Sequence, residues 1–294
     1  RRGSTRSLVT PVSRCCSANT IGPWSAPWNS GQRCRCGRST VSKGVAMSSD
    51  QEGLNAERYV EHLRSLGQVP ASGFPRGLAV VLGAAPRVWS RKSSSTAFGQ
   101  LRLSPSGGVG LLGTALAGSP SAAVLVTCCA ALGVREIIVV GRGGRTLALG
   151  ATDSPPHVMV LDSAVGDDAT SVAYGREDRV HPNQSLTDRV AAAAESSGLS
   201  PARSGTFSTD VPFLVAGPRL ELVLAAGGVV EMEATTLFAA ASSVGLDLAE
   251  VIVISDTRTG DDWLPRSPAH VSETMNRLAR MAISVLEQGS GVSS

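Results

Sequence analysis

Apolar residues fall into two kinds of run along the chain, and their alternation predicts an α/β protein. Five unbroken runs have strand length and end at glycine or at polar residues: Gly77 to Gly83 (GLAVVLG), Val109 to Thr114, Glu136 to Gly141 (EIIVVG), Val158 to Leu161 and Val251 to Ile254 (VIVI). Strands buried on both sheet faces read this way. Helices are expected over Glu57 to Leu66, from Pro120 to about Leu132 with Gly133 as the stop, and over Ser185 to Ser197. Val229 to Glu233 leads into an alanine-rich helix, Ala234 to Val244. A final helix, about Ser267 to Gln288, repeats Val271, Met275, Leu278, Met281, Ala282 and Val285 at helical spacing. The glycines of Gly141-Arg142-Gly143-Gly144 read as a turn after the third strand, and Ser255-Asp256 as the end of the last one. Such alternation implies an α/β sandwich on a largely parallel sheet, in one domain without internal repeats.

Composition adds little to that picture until its distribution is considered. The 294 residues are 42% hydrophobic and 17% charged, as in an ordinary globular chain, and only 4% aromatic, so Ala, Val, Leu and Ile must fill the core. Residues 1–49 hold eight basic groups and no acidic one; taking these from the chain's 27 leaves 19 against 24 acidic groups, a net of −5 in the remainder. A mildly acidic body lacks the footprint of a nucleic-acid binder. The Arg- and Ser-rich segment 1–46 is expected to lie outside the fold, either as a transit-like leader or as read-through upstream of Met47, with residues 47–294 forming the domain. Cytoplasmic location is expected, with organelle targeting by 1–46 as the other reading. Cys15, Cys16, Cys34 and Cys36 fit no standard zinc spacing, so no metal site is expected, and Cys128-Cys129 reads as reduced core packing. The weakly apolar stretch from Gly108 to Gly133 is interrupted by Thr114, Gly118, Ser119, Pro120 and Ser121, so no membrane span is expected.

In sheets of this kind ligands gather beyond the carboxyl ends of the strands. That makes candidates of Gly83 to Arg87, Gly141 to Gly144, Glu231 to Glu233 and Ser255-Asp256, although glycines also simply make turns and a Ser-Asp pair also caps.

The order of these pieces resembles the nucleoside phosphorylases of the hexameric purine-nucleoside/uridine type over about residues 77–288. The similarity rests on VVEMEATTLFAAASSVGLDLAEVIVISD (Val229 to Asp256), on GSPSAAV with ALGVREIIVVGRGG, and on SGTFSTDVPF (Ser204 to Phe213). It implies a three-layer α/β/α sandwich with a mixed, largely parallel central sheet. It also implies phosphorolysis of an N-glycosidic bond, with inorganic phosphate as co-substrate and no cofactor. By the same resemblance Glu233 would accept hydrogen bonds from the ribose hydroxyls and Met232 would pack under the sugar. Phe207 would stack on the base beside Ser255, and Asp256 would protonate or hydrogen-bond purine N7. His62 would reach the 5′-hydroxyl in a neighbouring subunit's site, or be a surface residue. Arg258 or Arg266 would assist the acid, and the spacing does not choose between them. A dimer-based homo-hexamer is implied, with nucleoside and phosphate as its ligands and neither nucleic acid nor membrane as partner.

The phosphate turn departs from the family pattern Gly-Asp-Pro-x-Arg. It reads Gly83-Ala84-Ala85-Pro86-Arg87, keeping the glycine and arginine only. Val139 stands where the family has a phosphate-gripping arginine, Arg142 where it has Ser or Thr, and Leu116 replaces a glycine, while Arg91 and Lys92 lie near the place of a neighbour-supplied arginine. Arg142 is expected to replace the lost charge beside Gly83 and Arg87. Purine phosphorolysis therefore leads; hydrolysis on the same scaffold, uridine-type specificity, or a lapsed nucleoside-binding paralogue are the alternatives.

Overall fold

The computed structural model describes residues 55–89, 93–115, 117–154, 157–176, 178–260 and 262–289. The leader 1–46 with its four cysteines, Arg91, Lys92 and Leu116 lie outside the described residues. In chain order the elements are α1 (Ala56–Ser65), β1 (Gly77–Leu82), β2 (Ser94–Thr96), β3 (Gly99–Leu103), β4 (Val109–Thr114), α2 (Ser119–Ala131), β5 (Glu136–Leu147), β6 (Val158–Gly166), α3 (Ala169–Ala173), α4 (Gln184–Ser196) and β7 (Ala202–Ser208). A 3-10 turn (Pro212–Leu214), α5 (Pro218–Ala226), β8 (Val229–Glu231), α6 (Ala234–Val244), β9 (Asp247–Thr259), β10 (Asp262–Pro265) and α7 (Pro268–Gly289) complete the chain.

The strands form one mixed sheet in the order β10-β9-β6-β7-β8-β5-β1-β4-β3-β2. Its middle, β4-β1-β5-β9, is parallel, and the β2-β3 ribbon and β10 are antiparallel additions at the two edges. Period-two alternation in the central strands divides the core. Leu78, Val80, Ile137, Val139, Leu248 and Ile252 face one apolar layer, which α2 and α6 close with Leu125, Val126, Leu237 and Phe238. Ala79, Val81, Ile138, Val140, Val251 and Val253 face the other, closed by Leu186 and Val190 of α4 and Leu278, Ala282 and Val285 of α7. Helices thus cover both faces, giving the three-layer α/β/α sandwich. Cys128 and Cys129 are buried and unpaired in the first layer, where burial pushes both thiols up. Among the described residues no helix is long and apolar enough to cross a membrane.

Two expected ends are not ends. The glycines after Val140 do not turn; β5 runs through them to Leu147, paired with β9 from Glu136↔Asp247 to Leu147↔Thr259. Likewise Ser255-Asp256 lies inside β9, which continues into the β9-β10 hairpin. The physical reason is room rather than backbone freedom, since Gly141, Gly143 and Gly144 are absent from the positive-φ glycines. A Cβ on Gly143 would meet Ile252 Cδ1 at 2.9 Å and the Val230 carbonyl at 3.0 Å, and one on Gly144 would meet Asp256 Oδ2 at 2.9 Å. A register shift at Gly143/Gly144 bulges the ladder at this point. Past the bulge β5 also pairs with β8, so that β5, β9, β6, β7 and β8 close a ring on the far half of the sheet.

Gly143→Ala is therefore expected to cost about 1–3 kcal/mol through overpacking. Urea denaturation of the variant and the parent checks this; equal midpoints would contradict the close-approach account.

Candidate active site

The ring and the ends of β1 and β4 enclose a cavity of about 710 Å³, lined among others by Leu82, Gly83, Thr114, Arg142, Gly144, Arg145, Phe213, Met232, Glu233, Ser255, Asp256, Arg258 and Trp263. It lies beyond the carboxyl ends of the parallel strands, where crossovers leave a crevice.

Its deepest polar feature is a set of carboxylates around the start of α6. Glu233 sits at the N-cap of that helix and accepts from the main-chain N–H of Gly118 at 2.6 Å and of Met232 at 3.3 Å. Gly118 in turn caps α2 with φ +82, a conformation suited to glycine, so the two helix starts meet over this carboxylate. Glu231 also lines the cavity; it accepts from the main-chain N–H of Glu233 (2.6 Å) and Ala234 (2.7 Å) and from the Ser208 hydroxyl. Orphan helix N–H groups and the macrodipole favour negative charge here. Burial opposes it. Desolvation raises the carboxyl of Glu233 above its usual range, and desolvation with the nearby Glu233 pushes Glu231 up to about 7. A third acid, Glu250 of β9, lies near both; its Oε2 has no hydrogen-bond partner among the described residues, and burial raises it well above the ordinary carboxylate range. Asp168, fully buried at the start of α3, differs. Burial opposes its charge, but the hydroxyls of Thr235, Thr236 and Ser171 and the Ser171 N–H together hold it below the usual value. It ties α3 to the first turn of α6 and so steadies Glu233.

At the opposite wall Asp256 is gripped from two sides. Ser255 Oγ donates to its Oδ1 at 2.7 Å and Trp263 Nε1 of β10 donates to its Oδ2 at 3.0 Å. Arg258, two positions on and therefore on the same strand face, donates through Nη1 to the Val215 carbonyl at 2.6 Å and through Nε to the Gly260 carbonyl at 3.0 Å. Arg145 is buried and shares Asp153 with Arg266, which faces away from the cavity and also reaches Thr257. Of the two arginines beyond the acid, Arg258 lines the cavity and Arg266 does not. At the β1 end the Arg142 guanidinium lies over Gly83, where an added Cβ would come within 3.0 Å of Nη2. Arg142 is exposed and makes no ion pair with any described residue.

The cavity thus brings together Gly83, Arg142, Met232, Glu233, Ser255 and Asp256 from the residues singled out in the sequence. Three others stand apart. Phe207 points from β7 into a small cluster with Val215, Val223 and Ala226 and is 2% exposed, so its ring is a core ring that does not reach the cavity. The aromatic side chain at the cavity from that segment is Phe213, six positions later and 99% exposed. It closes the quoted motif SGTFSTDVPF, but the strand ends at Ser208, so the last aromatic and not the first escapes the core. Arg87 is exposed on the loop after β1 and does not line the cavity, because that loop carries it outward past Gly83. His62 is exposed on α1, remote from the cavity lining. Sequence reasoning did not single out Arg145 or Trp263, since neither stands at a strand end or in a recognisable motif.

The model of the phosphorylase superfamily matches residues 82–288. The chain belongs to that superfamily. Two solved family structures share its fold at low identity. The AMP nucleosidase from Bacteroides thetaiotaomicron is 17% identical with a TM-score of 0.59, the match covering 80% of this chain and 100% of that one. The purine nucleoside phosphorylase from Toxoplasma gondii is 14% identical with a TM-score of 0.59, covering 74% and 93% respectively. A comparison with curated proteins returned no match. Membership in this family of nucleoside-cleaving enzymes supports an enzymatic function.

The upward shift of Glu231 fixes a sign. The folded chain keeps this proton to about pH 7, whereas the unfolded carboxyl releases it near 4.5, so across that window the folded state binds more protons and stability falls as pH rises. The stability of the parent relative to Glu231→Gln is expected to be constant below about pH 4.5, to decline up to about pH 7 and to level off above it. Urea midpoints over that range check it; a pH-independent difference would contradict the shift.

Proposed function

We propose that this family member is a purine nucleoside phosphorylase, in which phosphate attacks the anomeric carbon and releases the free base and ribose 1-phosphate. The observation that carries the reading is one cavity with Glu233 on one wall, Asp256 on the other and the guanidinium of Arg142 over Gly83.

Glu233, fixed by two main-chain N–H groups, is suited to accept from the 2′- and 3′-hydroxyls and to favour the positive charge that develops on the ring as the bond breaks. Met232 offers an apolar bed for the sugar. Phosphate would lie between Gly83 and Arg142, whose bidentate donors match its oxygens. In the step itself a phosphate oxygen forms the bond to C1′ and the electron pair of the C1′–N9 bond leaves with the base. The proton carried by the phosphate ends on N7, whose N–H the carboxylate of Asp256 is placed to accept. No metal or organic cofactor enters this scheme. Phe213, 99% exposed at the cavity, supports a homo-oligomer in which a neighbouring subunit covers that ring, with a dimer-based hexamer as the proposed form.

Hydrolysis is the second reading. It is favoured by Val139, a fully buried apolar residue on the first sheet face where a phosphate-gripping arginine would be expected, and by the loss of Asp-Pro from the turn after β1.

Incubation with inosine with and without phosphate separates the two. Cleavage that requires phosphate and yields ribose 1-phosphate is expected; equal cleavage without it overturns phosphorolysis in favour of hydrolysis. Arg142→Ala should raise KM for phosphate about 10- to 100-fold, the worth of a hydrogen-bonded charge pair. Glu233→Ala should lower kcat/KM by about 100-fold or more while KM for phosphate stays near the parent value. An unchanged phosphate KM in the first variant removes Arg142 from phosphate binding.

A further inference from the structure

Glu233 occupies the N-cap of α6 and yet does not cap it. A side chain at that position ordinarily accepts from the main-chain N–H two or three residues on, here Thr235 or Thr236. The macrodipole draws a carboxylate towards the same donors. No such bond forms, because the Glu233 side chain makes no cap bond to its own helix. Its oxygens turn instead to the N–H of Gly118, at the start of α2, and to that of Met232. Leaving a buried helix N–H without an acceptor is costly, so something else must take the donors that Glu233 gives up.

Two neighbours do. Glu231 Oε2 accepts from the N–H of Glu233 at 2.6 Å and of Ala234 at 2.7 Å. The next N–H, that of Thr235, goes to Ser208 Oγ at 3.0 Å. Ser208 is the last residue of β7 and pairs with Glu231 in the register of β7 and β8. Its hydroxyl hydrogen is committed to Glu231 Oε1, so towards Thr235 its oxygen can only accept. Ser208 and Thr235 are both fully buried, so bulk water does not stand in for this bond. A strand residue 27 positions earlier thus fills the place of the N-cap side chain.

We propose that Ser208 is a positioning residue for sugar binding: by taking the Thr235 N–H it keeps the Glu233 carboxylate from folding back onto α6 and leaves it turned towards Gly118 and the cavity. The inference rests on the reading of Glu233 as the sugar-binding acid. Without the Ser208 hydroxyl the Thr235 N–H is a buried orphan, and a rotation of the N-cap side chain brings the Glu233 carboxylate to it. That rotation withdraws the carboxylate from Gly118 and from the sugar hydroxyls. Ser208 itself does not touch the sugar; it decides where the group that does is aimed. The two acids at this helix start then divide the work, Glu231 and Ser208 capping and Glu233 spared for the ligand.

Ser208→Ala tests this in two ways, one of which needs no activity. Amide hydrogen exchange at Gly118 in ligand-free protein reads the aim of Glu233, whose Oε1 holds that N–H at 2.6 Å. Measured relative to the core amide of Ile138, exchange there is expected to be at least about tenfold faster in Ser208→Ala than in the parent. In steady-state assays with inosine, KM for the nucleoside should rise about tenfold or more, as when a hydrogen bond to a charged group is lost, while KM for phosphate stays within about twofold. Val190→Ala is the control for lost stability alone. It removes a fully buried side chain from the other apolar layer, and it should leave relative Gly118 exchange and nucleoside KM near the parent values. Ser208→Cys, which keeps a weaker acceptor at the same place, should fall between parent and Ser208→Ala and serves if the latter does not fold. Unchanged Gly118 exchange in the serine variants overturns the inference, as does a rise in both Michaelis constants by the same factor. Faster Gly118 exchange in a protein whose parent form cleaves no nucleoside would refute phosphorolysis and leave Ser208 as the residue that aims Glu233. Phosphate-dependent cleavage by the parent with unchanged Gly118 exchange in the variants would do the reverse.

Discussion

The pairing of β5 with β9 over twelve register positions, from Glu136↔Asp247 to Leu147↔Thr259, is the constraint on which the rest of the molecule depends. Its first half is an ordinary parallel core, with β-branched side chains packed on both faces. Its second half is possible because residues 141, 143 and 144 have no Cβ, so that Glu250, Ile252 and Asp256 of the partner strand can press against bare backbone. By carrying both strands past the plane where the parallel sheet ends, the ladder brings β8, β6 and β7 round to close the ring. The cavity is the space that this closure leaves.

Into that space the fold places carboxylates at some cost. Glu231 and Glu233 stand where two helix starts supply N–H groups, yet burial still raises both, and it raises Glu250 as well, whose Oε2 has no hydrogen bond among the described residues. Asp168 shows the contrast, since four hydrogen bonds from Ser171, Thr235 and Thr236 hold its charge in full burial. Glu231 accepts as many, from Thr206, Ser208, Glu233 and Ala234, so donor count does not separate the two; the neighbouring carboxylate of Glu233 does. Acids kept beside a cavity against the cost of burial are the pattern expected where local rules are broken for chemistry.

The cavity's two ends also differ in how their cations are held. Arg142 over Gly83 is exposed and has no ion-pair partner among the described residues. Arg258 is tied to two carbonyls and fixed in direction. One cavity is therefore lined by an exposed, unpaired charge among the described residues and by a rigidly held one.

Most of the architecture was legible in the chain itself. The apolar runs at 77–82, 109–114 and 158–161, the amphipathic C-terminal helix and the start of α6 at Ala234 follow from periodicity and capping, which are local properties. The resemblance of the motif that spans Glu233 and Asp256 also implied that the two meet, and both line one cavity. What the sequence could not supply is anything decided by contact between distant segments. Gly141 to Gly144 looked like a turn because glycine's freedom is local information, whereas the need for close approach appears only when β9 and β8 lie alongside. The resemblance chose Phe207 and gave Phe213 no role; packing of α5 against β7 buried the first and left the second at the cavity. That Arg258 lines the cavity and Arg266, paired with Asp153 from 113 positions away, does not is likewise known only from the folded chain. Side chains obey their neighbours in space, and only the folded chain says who those neighbours are.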